Sequence, residues 1–207
     1  LEQIKGVYLP FWTYDAYTQR RWRADAGEYN YITETYTDHE GKTQTRQVQK
    51  TRWYPVSGYH ERGFDDVMVT ASVGLQQKEL QRIDPFELGE VANYDSRFVL
   101  GYEAEVYQQD VEEGFGIADG IMDKQIRSEI VRRIPGDTHR YLRVNTRKSN
   151  LTFKHLLLPV WIAAYQFNNK TFRFVINGQT GKVSGKKPVS AIRVLLAILI
   201  GAGVIAG

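Results

Sequence analysis

Hydrophobic and polar residues alternate along much of this chain with a two-residue period, the spacing of half-buried β-strands. The clearest run is GEYNYITETYT at 27–37. Tyr29, Tyr31, Thr33, Thr35 and Thr37 share one face of it, and Asn30, Ile32, Glu34 and Tyr36 the other. Residues 6–59 as a whole are rich in Tyr, Trp, Thr and Val, which suit a pleated surface. DHEGKT at 38–43 predicts a polar turn with Gly41 at positive φ, after which TQTRQVQKTRWYPV returns as a strand. A further short strand is predicted at 64–73, and a short helix at 75–83 closed by Asp84-Pro85.

From Asp110 the apolar spacing changes to steps of three and four. Val111, Phe115, Ala118, Met122, Gln125 or Ile126, Ile130 and Ile134 form one stripe. Asp110 can cap this helix, Glu112 and Glu113 complement its dipole, and Pro135-Gly136 ends it after Arg132 and Arg133. Gly114, Gly116 and Gly120 interrupt it and suggest close packing against a sheet. Strand character resumes in THRYLRVNT and at 156–167. Asn168-Asn169 then turns into KTFRFVIN, and Asn177-Gly178 and Thr180-Gly181 turn into KVSG. The predicted class is α+β, with twisted antiparallel β-sheets and one long amphipathic helix.

Two segments resemble each other. KGVYLPFWTY at 5–14 and KHLLLPVWIA at 154–163 share Lys5/Lys154, Leu9/Leu158, Pro10/Pro159 and Trp12/Trp161. Duplication of 1–75 in 136–187 would give two related halves, with each proline at a strand start, edge or bulge because it cannot donate to a ladder.

Composition adds the charge distribution. The net charge of +3 divides into +1 over residues 1–60, −8 over 61–134 and +10 over 135–207. Acidic and basic segments could pair within one fold, or the basic third could face an anionic surface. The second reading gains from VLLAILIGAGVIAG at 194–207, which has no polar side chain. A helix there lacks a polar face, although it is shorter than a membrane crossing needs. The expectation is an α+β domain at 1–187 and the start of a transmembrane helix at 188–207, truncated partway. The positive-inside rule then holds the domain on the cytoplasmic side of a bacterial inner membrane. Lys182, Lys186, Lys187 and Arg193 would lie at the lipid headgroups. The Leu1 start, with no signal-peptide pattern, suggests an excised or processed piece.

Catalytic patterns are weak. Gly41-Lys42-Thr43 matches the end of a phosphate-binding loop, but Tyr36 stands where that motif needs glycine, and the loop joins two strands. Gly114, Gly116 and Gly120 are preceded by acidic residues that would repel a pyrophosphate. His39, His60, His139 and His155 are far apart in sequence, and the absence of Cys removes thiolate metal sites. Asp65-Asp66 and Glu112-Glu113 are adjacent pairs rather than carboxylates opposed across a cleft. Arg20-Arg21-Trp22-Arg23, Arg52-Trp53-Tyr54, Arg140-Tyr141, Arg143 and Phe172-Arg173-Phe174 interleave bases with aromatics. Such surfaces bind single strands, and they also occur where arginine stems cover the edges of an aromatic core.

KGVYLPFWTYDA, TRWYPVSG with Phe64-Asp65-Asp66, EEGFGIADGIM, TFKHLLLPVWIAAY and FRFVINGQTGKVSGKKP together span nearly the whole chain. In these segments the chain resembles a bacterial family of zinc-ribbon membrane proteins often labelled primosomal or helicase-like. The resemblance implies a zinc ribbon, then this domain, then transmembrane helices, with flotillin-like partners in membrane-stress assemblies. This chain has no Cys, so the ribbon and its zinc have no counterpart here, and no helicase motif is present. No cofactor is expected.

The leading expectation is a non-enzymatic, membrane-anchored cytoplasmic adaptor or assembly domain. Its partners would be membrane lipids and a membrane-associated protein or a second copy. The alternative is a single-stranded nucleic-acid-binding module using Arg52, Trp53, Arg140 and Tyr141, and an enzyme of unrecognised type comes third.

Overall fold

The computed structural model describes residues 3–37, 39–167 and 170–185. Three long strands dominate it: β1 (Gln3–Thr37), β2 (Thr43–Thr70) and β4 (Thr138–Phe167). The others are β3 (Glu103–Ala104), β5 (Lys170–Asn177) and β6 (Val183–Gly185). Two α-helices accompany them, α1 (Gln77–Ile83) and α2 (Val111–Val131). The sheet order is β2-β1-β4-β5-β6, and β3 pairs with β1 in parallel through Val7 and Tyr8.

Side-chain neighbours fix the registers. Thr18 donates to the Arg62 carbonyl, Gly58 faces Trp22, and Arg46 pairs with Glu34, so β1 and β2 form one continuous antiparallel hairpin. Gly41 at φ 78° makes the turn, as its lack of a Cβ permits. On the other side of β1, Gly27 faces Thr138, Asp15 faces Thr152, and Gly6 faces Trp161.

The chain divides into two compact units. One comprises residues up to Trp12, Val69–Val111 and from His155 onward. The other comprises Thr13–Met68 and Glu112–Lys154. In the second unit, β1 alternates as a strand with one covered face should: Tyr14, Ala16, Thr18, Arg20, Trp22, Ala24 and Ala26 are buried. The covering element is α2, whose stripe Gly114, Ala118, Met122, Ile126 and Ile130 is buried and whose Phe115 ring lies 5.7 Å from that of Tyr14. Gly116 and Gly120 face open space, so close packing does not require them. In the first unit, Leu9, Phe11, Leu75, Leu80, Ile83, Phe86, Leu158 and Val175 form the core. Asn177 Nδ2 donates to the carbonyls of Ile83 and Pro85 at 3.0 and 2.9 Å, tying α1 and the following turn to β5.

The two copies of the repeated motif lie against each other in this first unit. With Gly6 facing Trp161 and Trp12 against His155, Leu9 stands opposite Leu158 at the centre of an antiparallel pair. Both leucines are buried, and β2 and β5 take the equivalent outer places. The prolines follow the same relationship. The Pro10 carbonyl accepts from Ala71 just past the end of β2, and the Pro159 carbonyl accepts from Gly178 just past the end of β5. Each proline thus sits inside a long strand, where its outer neighbour stops and no amide donor is needed.

Two expectations are corrected. The fold is predominantly antiparallel β, with 58% of the described residues in strands and 20% in helices, and not α+β. The segments taken as separate strands are pieces of β2 and β4. Asp66, Tyr141 and Asn150 lie inside strands at φ 51°, 55° and 51°, so β2 and β4 pass through bulges. The one at Asn150 lies between two segments expected as separate strands, and those at Asp66 and Tyr141 lie within expected strands. The second correction concerns the transmembrane helix: no helix among the described residues is long and apolar enough to cross a membrane. Residues 188–207, where that helix was placed, and the turn at Asn168-Asn169 lie outside the described residues.

Candidate functional site

The face of β1 opposite α2 carries the odd-numbered side chains of the second unit. Arg21 and Arg23 are exposed on it. Together with Pro55, Ser57, Tyr141 and Arg143 from the flanking strands, Arg23 lines an open groove of about 480 Å³. A neighbouring hollow of about 340 Å³ shares Arg23, Ser57 and Arg143 and adds Arg21 and Asn145. Tyr141 is 71% exposed and sits at the bulge with φ 55°, an uncommon conformation for a bulky residue. The Arg140 guanidinium lies 4.2 Å from the Trp53 ring centroid and 5.0 Å from that of Tyr141, and its Nε donates to Asp25 at 3.2 Å. Among the described residues, none of the Arg21, Arg23 and Arg143 guanidiniums is in an ion pair.

Of the residues nominated for nucleic acid, Trp53, Arg140 and Tyr141 therefore come together. Arg52, next to Trp53 in an alternating strand, projects to the other face. Arg21, Arg23 and Arg143 were visible as basic-aromatic interleaving but were not singled out. Placing them with Tyr141 depends on the bulge, which shifts the alternation of β4 by one residue.

The buried face of the same unit holds paired charges. Arg20, 1% exposed, donates to Asp123 at 2.7 Å. Buried His60 shares a 2.8 Å hydrogen bond between Nε2 and Glu129, which also pairs with Arg62. Lys148 pairs with Asp119, and burial, aided by the nearby Arg20 charge, lowers its pKa. Acids of α2 thus neutralise bases of the strands, so part of the charge segregation serves the fold.

Asp15, Asp65 and Asp66 bring carboxylate oxygens within 4.8 Å of one another. The surroundings of this group supply its positive charge: Lys154 Nζ lies 2.8 Å from Asp66 and 3.9 Å from Asp15. Burial raises the Asp15 pKa, but the Asp66 amide, the Thr152 hydroxyl and Lys154 outweigh it and hold the carboxyl below its ordinary value. Residues already bridged by an ammonium and protein donors make a structural node rather than a cation cage. His39, His139 and His155 are exposed, and His60 is buried.

In the first unit, Leu9, Pro10, Trp12 and Leu158 are buried and Trp161 is 40% exposed. Trp12 donates to the Gln109 carbonyl at 2.9 Å and packs on Tyr107 and His155. Lys182 is exposed and donates to the Asp84 carbonyl; Lys186, Lys187 and Arg193 lie outside the described residues. The segment between α1 and α2 contains two short 3₁₀ turns (Leu88–Glu90 and Ser96–Val99) and β3. It leaves Tyr94, Phe98, Leu100, Tyr102 and Val106 more than half exposed. Sequence reading gave no signal for this surface, because the segment lacks either period.

The chain is similar to a protein of Bacillus subtilis (strain 168) described as the uncharacterized protein YdjG, with 27% identity over 202 residues. The similarity covers 92% of this chain and 53% of that protein, so the chain spans about half the length of this relative. No family model matches the chain. No solved structure matches it either.

Proposed function

We propose that the chain is a non-enzymatic assembly domain that docks a protein partner on the segment preceding α2. The observation that carries this reading is the exposure of Tyr94 (71%), Phe98 (57%), Leu100 (72%), Tyr102 (57%) and Val106 (74%) within thirteen consecutive residues. Large apolar side chains concentrated in one exposed segment mark an interaction site more often than they serve the fold of a monomer. The segment is anchored while its side chains stay outward. Gln108 donates to the Ala71 carbonyl, Glu105 to that of Tyr8, and the Ser72 hydroxyl to the Glu105 carboxylate at 2.5 Å. The Tyr102 ring packs edge-on against Tyr8 at 5.8 Å, while Tyr94, Phe98, Leu100 and Val106 stay outward. Side chains presented from an anchored backbone suit docking, because less entropy is lost on binding.

The family resemblance suggests a flotillin-like protein as the partner, and a second copy of the chain is the other occupant. The reading needs no membrane anchor. Its test is association of the purified chain with a flotillin-like protein and with itself, followed by sedimentation velocity. The combined Phe98→Glu and Leu100→Glu substitutions should abolish association while leaving the circular dichroism spectrum unchanged. A chain that stays monomeric alone and in the mixture at all concentrations would remove the proposal.

A further inference from the structure

We infer that the groove of the second unit binds single-stranded nucleic acid, with phosphates held by Arg21, Arg23 and Arg143 and a base stacked on Tyr141. This goes beyond the assembly reading and uses different residues. Three observations carry it.

The first is uncompensated charge. Arg20 and Arg140 have found Asp123 and Asp25, whereas the three groove arginines are in no ion pair among the described residues. Their guanidiniums lie exposed beside an open groove, where each can take a phosphate oxygen pair. The second is extent. Arg21 and Arg23 project from one face of β1 two residues apart, and Arg143 joins both hollows from β4. This is a track for an extended polyanion rather than a cup for one small anion. The third is Tyr141. A bulky residue at φ 55° is held there by its surroundings, and it presents a ring that is 71% exposed. On its strand side, Arg140 lies between the Tyr141 and Trp53 rings, giving the platform a fixed support. Cationic track and stacking platform together are the two components of sequence-tolerant single-strand binding.

An acidic peptide would use the arginines but gain nothing from an aromatic ring standing clear of the surface. The stacking platform therefore favours a base over a carboxylate side chain.

The test is fluorescence anisotropy of the full chain with a labelled oligothymidylate across a salt series. Three phosphate contacts should give a slope of log K against log salt of about −2, or roughly a 20-fold loss of affinity for a fourfold rise in salt. The Arg23→Ala/Arg143→Ala pair should weaken binding at least tenfold and flatten the slope by about one unit or more. Tyr141→Ala should weaken binding severalfold, and Tyr141→Phe should restore it, because the phenol hydroxyl plays no part. All these side chains are exposed, and matching thermal melts will show that the variants fold. Absence of binding at low salt, or affinity unchanged in the arginine pair variant, would overturn the inference. So would polyglutamate competing as well as unlabelled oligothymidylate, or Tyr141→Ala binding as tightly as the parent; either result would make the groove a general polyanion surface.

Discussion

The rings of Trp12 and His155 lie 4.7 Å apart, centroid to centroid, on the two strands that carry the repeated Leu-Pro-x-Trp motif. The second tryptophan of the motif, Trp161, meets Gly6 at the place equivalent by symmetry. One motif copy therefore stacks an indole on an imidazole, while the other lays it over a glycine. A Cβ at Gly6 would come within 3.1 Å of the Trp161 ring.

That packing predicts a pH dependence. Burial lowers the His155 pKa below its ordinary 6.5, so the folded state binds this proton less readily than the unfolded one. The stability tied to neutral His155 is present above pH 6.5 and is lost as the pH falls through the lower folded value. Thermal melts should show a drop in Tm from pH 7 to pH 5 that His155→Gln reduces. Because the imidazole is partly exposed, the difference should be a small part of the total acid sensitivity.

Arg20 and Asp123 test the charged layer beneath α2. Asp123→Ala would leave a guanidinium that is 1% exposed without its partner, at a cost of about 2–3 kcal/mol. Replacing both residues, as Arg20→Met with Asp123→Ala, removes the charge along with its partner and should recover most of that loss. Urea denaturation of the single and double variants measures the difference. A double variant no more stable than Asp123→Ala would show that the arginine stem, rather than its charge, is what the layer needs.

The alternation at 27–37 located part of β1, whereas the parity of its covered stretch, Tyr14 to Ala26, was not legible because Thr18 and Arg20 stand among its buried positions. The α2 stripe was legible by its three- and four-residue steps: Ala118, Met122, Ile126 and Ile130 are buried as spaced, Gly114 joins them unselected, and Val111, Phe115 and Ile134 are only half-buried. What alternation could not show is a strand that changes parity and continues. At Asn150, between THRYLRVNT and 156–167, the parity change reads as a strand end and the Asn reinforces that signal. The changes at Asp66 and Tyr141 fall inside expected strands and leave no mark in the sequence. The result was several short strands in an α+β fold where the protein has three very long ones. The groove was hidden by the same effect, since the Tyr141 bulge brings Arg143 to the face of Arg21 and Arg23.

Gly58 provides a packing test that does not depend on charge. A Cβ there would lie 2.5 Å from the indole of Trp22, which is buried on the neighbouring strand. Neither backbone strand can retreat without disturbing the ladder, so Gly58→Ala should cost about 1–3 kcal/mol through overpacking. Gly63→Ala, five residues along the same strand, meets nothing within 4 Å and is the control, expected to change stability little. Denaturant midpoints compared at constant m-value will separate the two.

Asp15 ties β1 to both neighbours, and its behaviour at the extremes of pH follows from the signs of two shifts. One of its oxygens accepts from the Asp66 amide at 2.8 Å and the other from the Thr152 hydroxyl at 2.8 Å, at the level of the bulges in β2 and β4. Burial works against the charged form, but these donors and Lys154 prevail, so the folded pKa is below 3.8. The Asp15 contribution is therefore complete above pH 3.8 and is lost as the pH falls through the lower folded value. Lys154 shifts the other way: its hydrogen bond to Asp66 outweighs burial and raises the pKa above 10.5. Its contribution is present below pH 10.5 and is lost as the pH rises through the higher folded value. Asp15→Asn should raise the midpoint of acid unfolding and leave the alkaline limb little changed. Lys154→Met should abolish the alkaline loss belonging to this node and also move the acid midpoint upward, because Asp15 then loses a cation. If Lys154→Met left both limbs in place, the ammonium would be a passive surface charge, and the two backbone and hydroxyl donors alone would hold Asp15.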